Sequence, residues 1–199
     1  MPIQKDCKIV GKEKLVNGIY KFSIKTPEIA EISKPGNFLE IKVSDSLETF
    51  LRRPISIYNI DRENGIIEFI FQVKGKGTEI LSERKVGDDL NILGPLGNGT
   101  FTLKHFKKVA IIGGGIGTYP LYELAKNLKE NSEVNIYLGF RNKDLVTLEE
   151  EFSNVSNKLV ITTDDGSYKE KGFAIDYLKK DCENEQFDCI FACRTTSNA

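Results

Sequence analysis

Val109-Ala110-Ile111-Ile112-Gly113-Gly114-Gly115-Ile116-Gly117 decides the fold of the second half of this chain. A continuous apolar run suits a strand covered on both faces, and the glycines at its end let the backbone turn sharply into a helix. Pro120, Leu121, Leu124, Ala125 and Leu128 then recur at helical spacing, and Val134 to Leu138 supplies a second apolar strand. Downstream the alternation continues. Leu145 to Phe152 reads as helix, Leu159 to Thr163 as strand, Phe173 to Lys180 as helix and Phe187 to Cys193 as strand. Strands alternating with helices imply a parallel sheet.

Upstream of that run the period is two. Ile19 to Ile24, Phe38 to Val43, Arg53 to Ile60 and Ile66 to Val73 put apolar and polar side chains on opposite faces, as half-buried antiparallel strands do. Turn residues at Pro35-Gly36, Asp61 to Gly65 and Gly87-Asp88 separate them, and only Thr78 to Arg84 reads as helix. That spacing predicts a small barrel or sandwich. The boundary falls between Gly99 and Lys108, giving an antiparallel β domain over 1–100 and an α/β parallel-sheet domain over 101–199. At 199 residues the chain has room for both.

The formal charge of -1 comes from 28 basic and 29 acidic residues intermixed along the chain, which argues against a nucleic-acid-binding or anionic lipid-binding face. No apolar core of a signal peptide and no run of ~18 apolar residues occurs, so a cytoplasmic protein without a membrane partner is the expectation. Cys7, Cys182, Cys189 and Cys193 form no dense framework and are expected to be thiols.

The glycine loop has a chemical reading. Glycines at the end of a parallel strand let a pyrophosphate approach the backbone, and the helix start that follows offers unpaired N–H groups. Gly113-x-Gly115-x-x-Thr118 departs from the G-x-G-x-x-G pattern at its third position, so a plain tight turn is the competing reading. Gly139-Phe140-Arg141 and Thr163-Asp164-Asp165-Gly166-Ser167 end the next two strands, where open α/β sheets bind ligands. Arg141 could hold a phosphate or ribose, and Asp164 or Asp165 could accept from a ribose or an amide. Taken singly, a solvated arginine and a turn-forming Asp-Gly pair explain them as well.

In the first half, Leu51-Arg52-Arg53-Pro54-Ile55-Ser56-Ile57 places arginines at the head of a strand, with Arg53 and Ile55 on one face and Ser56 on the other. Gly75-Lys76-Gly77-Thr78 opens a helix and makes a second anion-ready turn, unless it is only a hairpin followed by a Thr N-cap.

Arg-Pro-Ile-Ser, Gly-Lys-Gly-Thr, Gly94-Pro95-Leu96-Gly97-Asn98-Gly99 and Gly-Gly-Gly-Ile-Gly-x-x-Pro-Leu, in that order, resemble the ferredoxin–NADP reductase superfamily. Within it the chain is most similar to the electron-transfer subunits of dihydroorotate dehydrogenase. Pro35-Gly36-Asn37-Phe38, the Thr163 to Ser167 turn and Lys171-Gly172-Phe173 add to the likeness, which spans residues 8–193. The resemblance implies an N-terminal FAD-binding barrel and a C-terminal NAD-binding domain. It places Arg53 on the FAD pyrophosphate, Pro54 and Ile55 along the flavin and Ser56 near its N5 edge. Many relatives carry tyrosine where this chain has Ile55. Ile70, Phe71 and Gln72 would line the ring, and Gly77 with Thr78 would bind the pyrophosphate. Gly113, Gly114, Gly115, Ile116 and Gly117, with Thr118, would hold the NAD(H) pyrophosphate.

The implied activity is electron transfer between NAD(H) and a partner, in the first place the catalytic subunit of dihydroorotate dehydrogenase in pyrimidine biosynthesis, within a hetero-oligomer. The same motifs occur in small subunits of ferredoxin-dependent transhydrogenases and sulfide dehydrogenases, and a flavin-binding module without turnover is a further reading. No side chain is expected to act as a catalytic acid, base or nucleophile. His105, the sole histidine, reads as structural. Relatives continue after the last strand with a Gly-Pro turn and a cysteine-rich lobe carrying a [2Fe–2S] cluster on a C-x4-C-x2-C pattern. Here the chain reads Arg194 to Ala199, and Cys182, Cys189 and Cys193 are separated by six and three residues. The expectation is therefore that the cluster ligands are absent from this chain, that no metal is bound and that the NAD half is incomplete at its C-terminus.

Overall fold

In the first half, alternation closes a sheet on itself. The computed structural model describes residues 1–44, 46–98, 101 and 105–193, with the backbone of Arg194. It divides into two compact units, Met1–Phe101 and Thr102–Ala199. The first contains β1 (Ile3–Val16), β2 (Ile19–Lys25), α1 (Pro27–Ile32), β3 (Phe38–Lys42), β4 (Arg53–Asp61), β5 (Ile66–Gln72), α2 (Lys76–Glu83) and β6 (Asp89–Leu96). The six strands form a closed barrel in the order β1-β2-β5-β4-β3-β6, with every pairing antiparallel.

One face of each strand fills the interior. Phe22 and Ile24, Leu39 and Ile41, Ile55 and Ile57, Ile67, Phe69 and Phe71, and Leu90 and Ile92 belong to one buried cluster. Three of its rings meet at centroid distances of 5.7 Å (Phe22–Phe69), 5.3 Å (Phe22–Phe71) and 6.3 Å (Phe69–Phe71). β1 closes the barrel because it is long and irregular. Its first half pairs with β6 and its second half with β2, across a register shift between Ile9 and Gly11. Gly11 is needed there, since a Cβ would come 2.9 Å from Ser23 Oγ.

Helix α1 is a correction to the sequence reading, which placed only one helix in this half. At six residues it is too short to show a 3.6 period, but Pro27 at its first position and Glu28 in its first turn are start signals. It buries Ile29 and Ala30 in the barrel core.

The Pro35-Gly36-Asn37 turn is structural. Gly36 takes φ +88°, a conformation that costs glycine little, and Asn37 is only 5% exposed. Its Nδ2 donates to the carbonyls of Leu96 (3.0 Å) and Gly97 (2.9 Å), and its Oδ1 accepts from the Lys34 N–H (2.8 Å). One side chain thus pins the head of β3 to the tail of β6. Asn37→Ala removes three part-buried hydrogen bonds and is expected to cost about 1–2 kcal/mol. Urea unfolding of the two proteins measures it, and an unchanged midpoint would contradict the clamp.

The second unit runs β7 (Lys108–Gly114), α3 (Leu121–Lys129), β8 (Glu133–Phe140), α4 (Glu149–Asn154), β9 (Lys158–Thr163), β10 (Glu170–Lys171), α5 (Ala174–Cys182) and β11 (Cys189–Arg194). The sheet order is β10-β9-β8-β7-β11, and all neighbours are parallel. From β7 the chain steps outward through β8 and β9, then returns to place β11 on the other side of β7. The strand order therefore reverses between β7 and β11, and such reversals open a crevice at the carboxyl ends of the strands.

Two helix readings need correcting. The stretch Leu145 to Phe152 is not one helix: a 3-10 turn at Lys143–Leu145 gives way to Leu148 at φ +59° before α4 begins at Glu149. Leu148 and Phe152 are both buried, and the apolar spacing across the break imitates a continuous helix. After the glycine loop, a 3-10 turn at Gly115–Thr118 precedes α3, which starts only at Leu121. On the sheet, Tyr137 donates its hydroxyl to Asp181, and Lys158 pairs with the same carboxylate. Burial pulls the Asp181 carboxyl up, but Lys158 and Tyr137 outweigh it and hold the group below the usual range.

Candidate functional site

The barrel brings together two segments far apart in sequence. A Cβ added to Gly77 would lie 2.7 Å from Arg53 Cζ and 2.5 Å from its Nη2, with Nε nearer still. The Arg53 guanidinium therefore rests on the backbone of the first turn of α2. Its Nη1 donates to the carbonyl of Leu51 and, at 3.4 Å, to that of Arg52. No carboxylate pairs with it among the described residues. Arg52 serves the barrel instead, its Nη1 donating to the main-chain carbonyls of Asn91 (3.0 Å) and Glu40 (3.2 Å) and so tying β4 to β6 and β3. Of two adjacent arginines, one braces strands and the other stands at a helix start.

That helix start is preformed. Gly75 is the N-cap residue of α2, and Thr78, the third helical residue rather than the cap, folds back onto it. Its Oγ1 accepts from the N–H groups of Lys74 (2.9 Å) and Gly75 (3.2 Å) and donates to the Gly75 carbonyl (2.9 Å). The N–H groups of Lys76, Gly77 and Thr78 precede that of Glu79, the first to donate within the helix (to the Gly75 carbonyl, 3.0 Å), so they are available to an anion. Lys76 is held by Glu48 at 2.6 Å. A guanidinium without a carboxylate, above unpaired N–H groups and a glycine that a side chain would obstruct, is a cradle that fits a diphosphate.

On the neighbouring strands, Ile55 packs into the barrel core, while Pro54 is exposed and Ser56 half-buried on the other face. Ser56 stands opposite Phe38 in the register with β3. Ile70 is 4% exposed and Gln72 half-buried on the outer face of β5, and Phe71 turns inward against Phe22.

In the second unit the expected residues gather at the carboxyl edge of the sheet. Gly114 is level with Gly139 on β8, and Gly139 with Thr162 on β9. Gly113 is required by packing, because a Cβ would come 2.9 Å from Leu121 Cδ1 and 3.0 Å from the Thr118 backbone. Gly114 would meet nothing within 4 Å, and Gly115 takes φ +55°. Ile116 is the half-buried residue of the 3-10 turn, followed by buried Gly117. Thr118, in the place of the third glycine, is fully buried and donates its hydroxyl to the Gly115 carbonyl at 2.9 Å. The substitution is accommodated by closing the loop on itself, leaving open backbone at Gly114.

The other two turns meet beside this loop. The Asp164 N–H donates to the Phe140 carbonyl at 3.0 Å, and the Lys143 N–H to Ser167 Oγ at 2.8 Å. Arg141 and Asp164 are exposed there. Asp165 is occupied: its carboxylate accepts from the Ser167 hydroxyl (2.6 Å) and N–H (2.9 Å), which holds it below the usual carboxylate range. Its turn-forming role is thus visible in the bonds. Cys189 and Cys193 lie on β11, Cys182 at the end of α5 and Cys7 in the barrel, all as free thiols. Among the described residues no three His, Cys, Asp or Glu side chains gather as a metal site. No helix among them is long and apolar enough to cross a membrane.

A closed antiparallel barrel with an arginine set against the glycine of a helix start, followed by a parallel sheet with a glycine loop at its strand reversal, defines a flavin-dependent oxidoreductase of the ferredoxin-reductase type. Residues 6–101 match the family described as oxidoreductase FAD-binding domain. The electron-transfer subunit of dihydroorotate dehydrogenase B from Lysinibacillus sphaericus is 37% identical over 193 residues, covering 96% of this chain and 74% of the relative. That of Streptococcus mutans is 40% identical over 198 residues, covering 97% and 74%. The chain belongs to this family of electron-transfer subunits. Among solved structures, an NADH-dependent reduced ferredoxin-NADP oxidoreductase studied for flavin-based electron bifurcation superposes with a TM-score of 0.87 at 32% identity, over 96% of this chain and 68% of that one. The cytochrome b5 reductase domain of Ulva prolifera nitrate reductase shares the fold at 19% identity, with a TM-score of 0.73, over 98% and 88%.

Proposed function

We propose that this chain carries electrons from a reduced nicotinamide dinucleotide through FAD to a partner redox protein, most simply the catalytic subunit of dihydroorotate dehydrogenase in pyrimidine synthesis. The observation that carries the FAD half of this reading is the Arg53 guanidinium lying on Gly77, with no carboxylate among the described residues to neutralise it. In it, Arg53 neutralises the diphosphate, and the N–H groups at Gly77 and Thr78 complete its coordination. Pro54 and Ser56 of β4 and Ile70 and Gln72 of β5 form the outer face along which the flavin ring lies, and Ile55 and Phe71, whose side chains fill the core, contribute main chain to it. When bound, FAD supplies the chemistry that couples two-electron hydride donors to one-electron acceptors.

The dinucleotide substrate is assigned to the second unit. Open backbone at Gly114, within the Gly113 to Gly117 loop, admits the diphosphate, with Ile116 and Thr118 shaping the turn behind it. In this reading Arg141 and Asp164, both exposed, reach the adenosine ribose, and Asp165 fixes the turn that carries Asp164.

Anaerobic addition of NADH to the FAD-loaded chain is expected to bleach the flavin absorbance within seconds. Persistent yellow colour would overturn the reductase reading in favour of a flavin-binding module that does not turn over. A second partner reading rests on the likeness to the bifurcating ferredoxin-NADP oxidoreductase, in which the acceptor is the large subunit of a transhydrogenase. Reconstitution with each candidate large subunit, followed by measurement of NADH-driven electron transfer to it, separates the two.

A further inference from the structure

The loop between β3 and β4 is built inside out. Its polar residues are tied down: Ser46 Oγ accepts from the Glu48 N–H at 3.3 Å, Thr49 is 2% exposed and bonded to Ser44, and Glu48 holds Lys76 of α2 at 2.6 Å. Its apolar residues face water. Leu47 is 88% exposed, Phe50 73% and Leu51 71%. Elsewhere in the barrel unit the exposed large hydrophobics among the described residues, Met1, Val10, Ile32 and Val86, are scattered singly. Three within five residues, on a turn fixed by hydrogen bonds and an ion pair, mark a surface that something covers.

Position identifies the occupant. Leu51 offers its carbonyl to Arg53, and at ~3.3 Å per residue Phe50 lies within about 10 Å of Arg53 along the chain. The flavin end of a dinucleotide gripped at Arg53 and Gly77 runs forward along β4 toward Ser56. On that reading the adenosine is the part left to reach residues 47–51, which adjoin Arg53 through Leu51 and the start of α2 through the Glu48–Lys76 pair. A flat, π-bearing base suits an exposed phenylalanine flanked by leucines, and needs no particular hydrogen-bond partner to stack there.

We infer that the Leu47 to Leu51 turn seats the adenine of the bound dinucleotide, with Phe50 as its stacking platform. This rests on the FAD reading above. It makes the loop the element that selects FAD over FMN, which carries the same flavin and one phosphate but no adenosine. The Glu48–Lys76 ion pair then joins the adenine seat to the helix that holds the diphosphate.

The test is flavin-fluorescence titration of the full chain and of Phe50→Ala with FAD and with FMN. The alanine variant is expected to bind FAD about tenfold more weakly, in line with base stacking, with FMN binding changed less than about twofold. Phe50→Tyr, which keeps the ring, is expected to retain the parent preference. Parallel loss of both flavins would overturn the inference, because the loop would then be only structural. An unchanged FAD-to-FMN ratio would also overturn it and leave the apolar turn to a protein partner. Failure of the unsubstituted chain to bind either flavin would instead sink the FAD reading itself, and this inference with it.

Discussion

Arg53→Ala is expected to weaken FAD binding by about 1.5–3 kcal/mol, roughly ten- to 150-fold, because it removes the guanidinium that lies against Gly77 at the start of α2. The barrel should survive. The Arg53 side chain bonds to main-chain carbonyls of its own segment, whereas the backbone ladder to β3 is untouched by the substitution and the side-chain ties to Glu40 and Asn91 come from Arg52. Thermal unfolding of the flavin-free proteins is therefore expected to change little while the FAD dissociation constant rises. Unchanged FAD affinity would remove the main support for the cradle.

Gly77→Ala is expected to do comparable damage by a different route. The new methyl would occupy the space of the Arg53 guanidinium, the far end of a flexible side chain, so the arginine swings away and the fold is kept. Alanine is the better helix former by roughly 0.5–1 kcal/mol, so the flavin-free protein should be as stable as its parent or slightly more so. FAD affinity should nevertheless fall to near that of Arg53→Ala. Since both substitutions act on one contact, the double variant should lose little more than either single one. Additive losses, measured by flavin-fluorescence titration, would show that the two positions act independently.

The fold was legible where periodicity speaks clearly. The buried run at Val109 to Ile112 and the alternation of Phe38 to Val43 each left one structural choice, and the strands lie there. It was illegible where elements are short or shared. Helix α1 has six residues, and β1 divides its pairing between two neighbours, so neither repeats a pattern long enough to recognise. The break at Leu148 was hidden because buried residues on both sides of it fall at helical spacing. For the candidate site, the motifs supplied identities and the structure sorted them. Adjacent Arg52 and Arg53 look equivalent in sequence and are separated only by which carbonyls lie within reach. Asp164 and Asp165 differ because Ser167 bonds to just one of them. The apolar turn at Leu47 to Leu51 gave no signal, since its meaning comes from exposure.

The seam of the barrel has a consequence for synthesis. Ile3 pairs with Gly94 and Lys8 with Asp89, so the opening residues of the chain wait for a strand made at the far end of the same unit. Until that strand leaves the ribosome, β1 and β3 each present an unsealed margin to other chains. Pairings between residues so distant in sequence are also slow to form. The nascent protein therefore passes through a window of self-association that the finished barrel no longer permits.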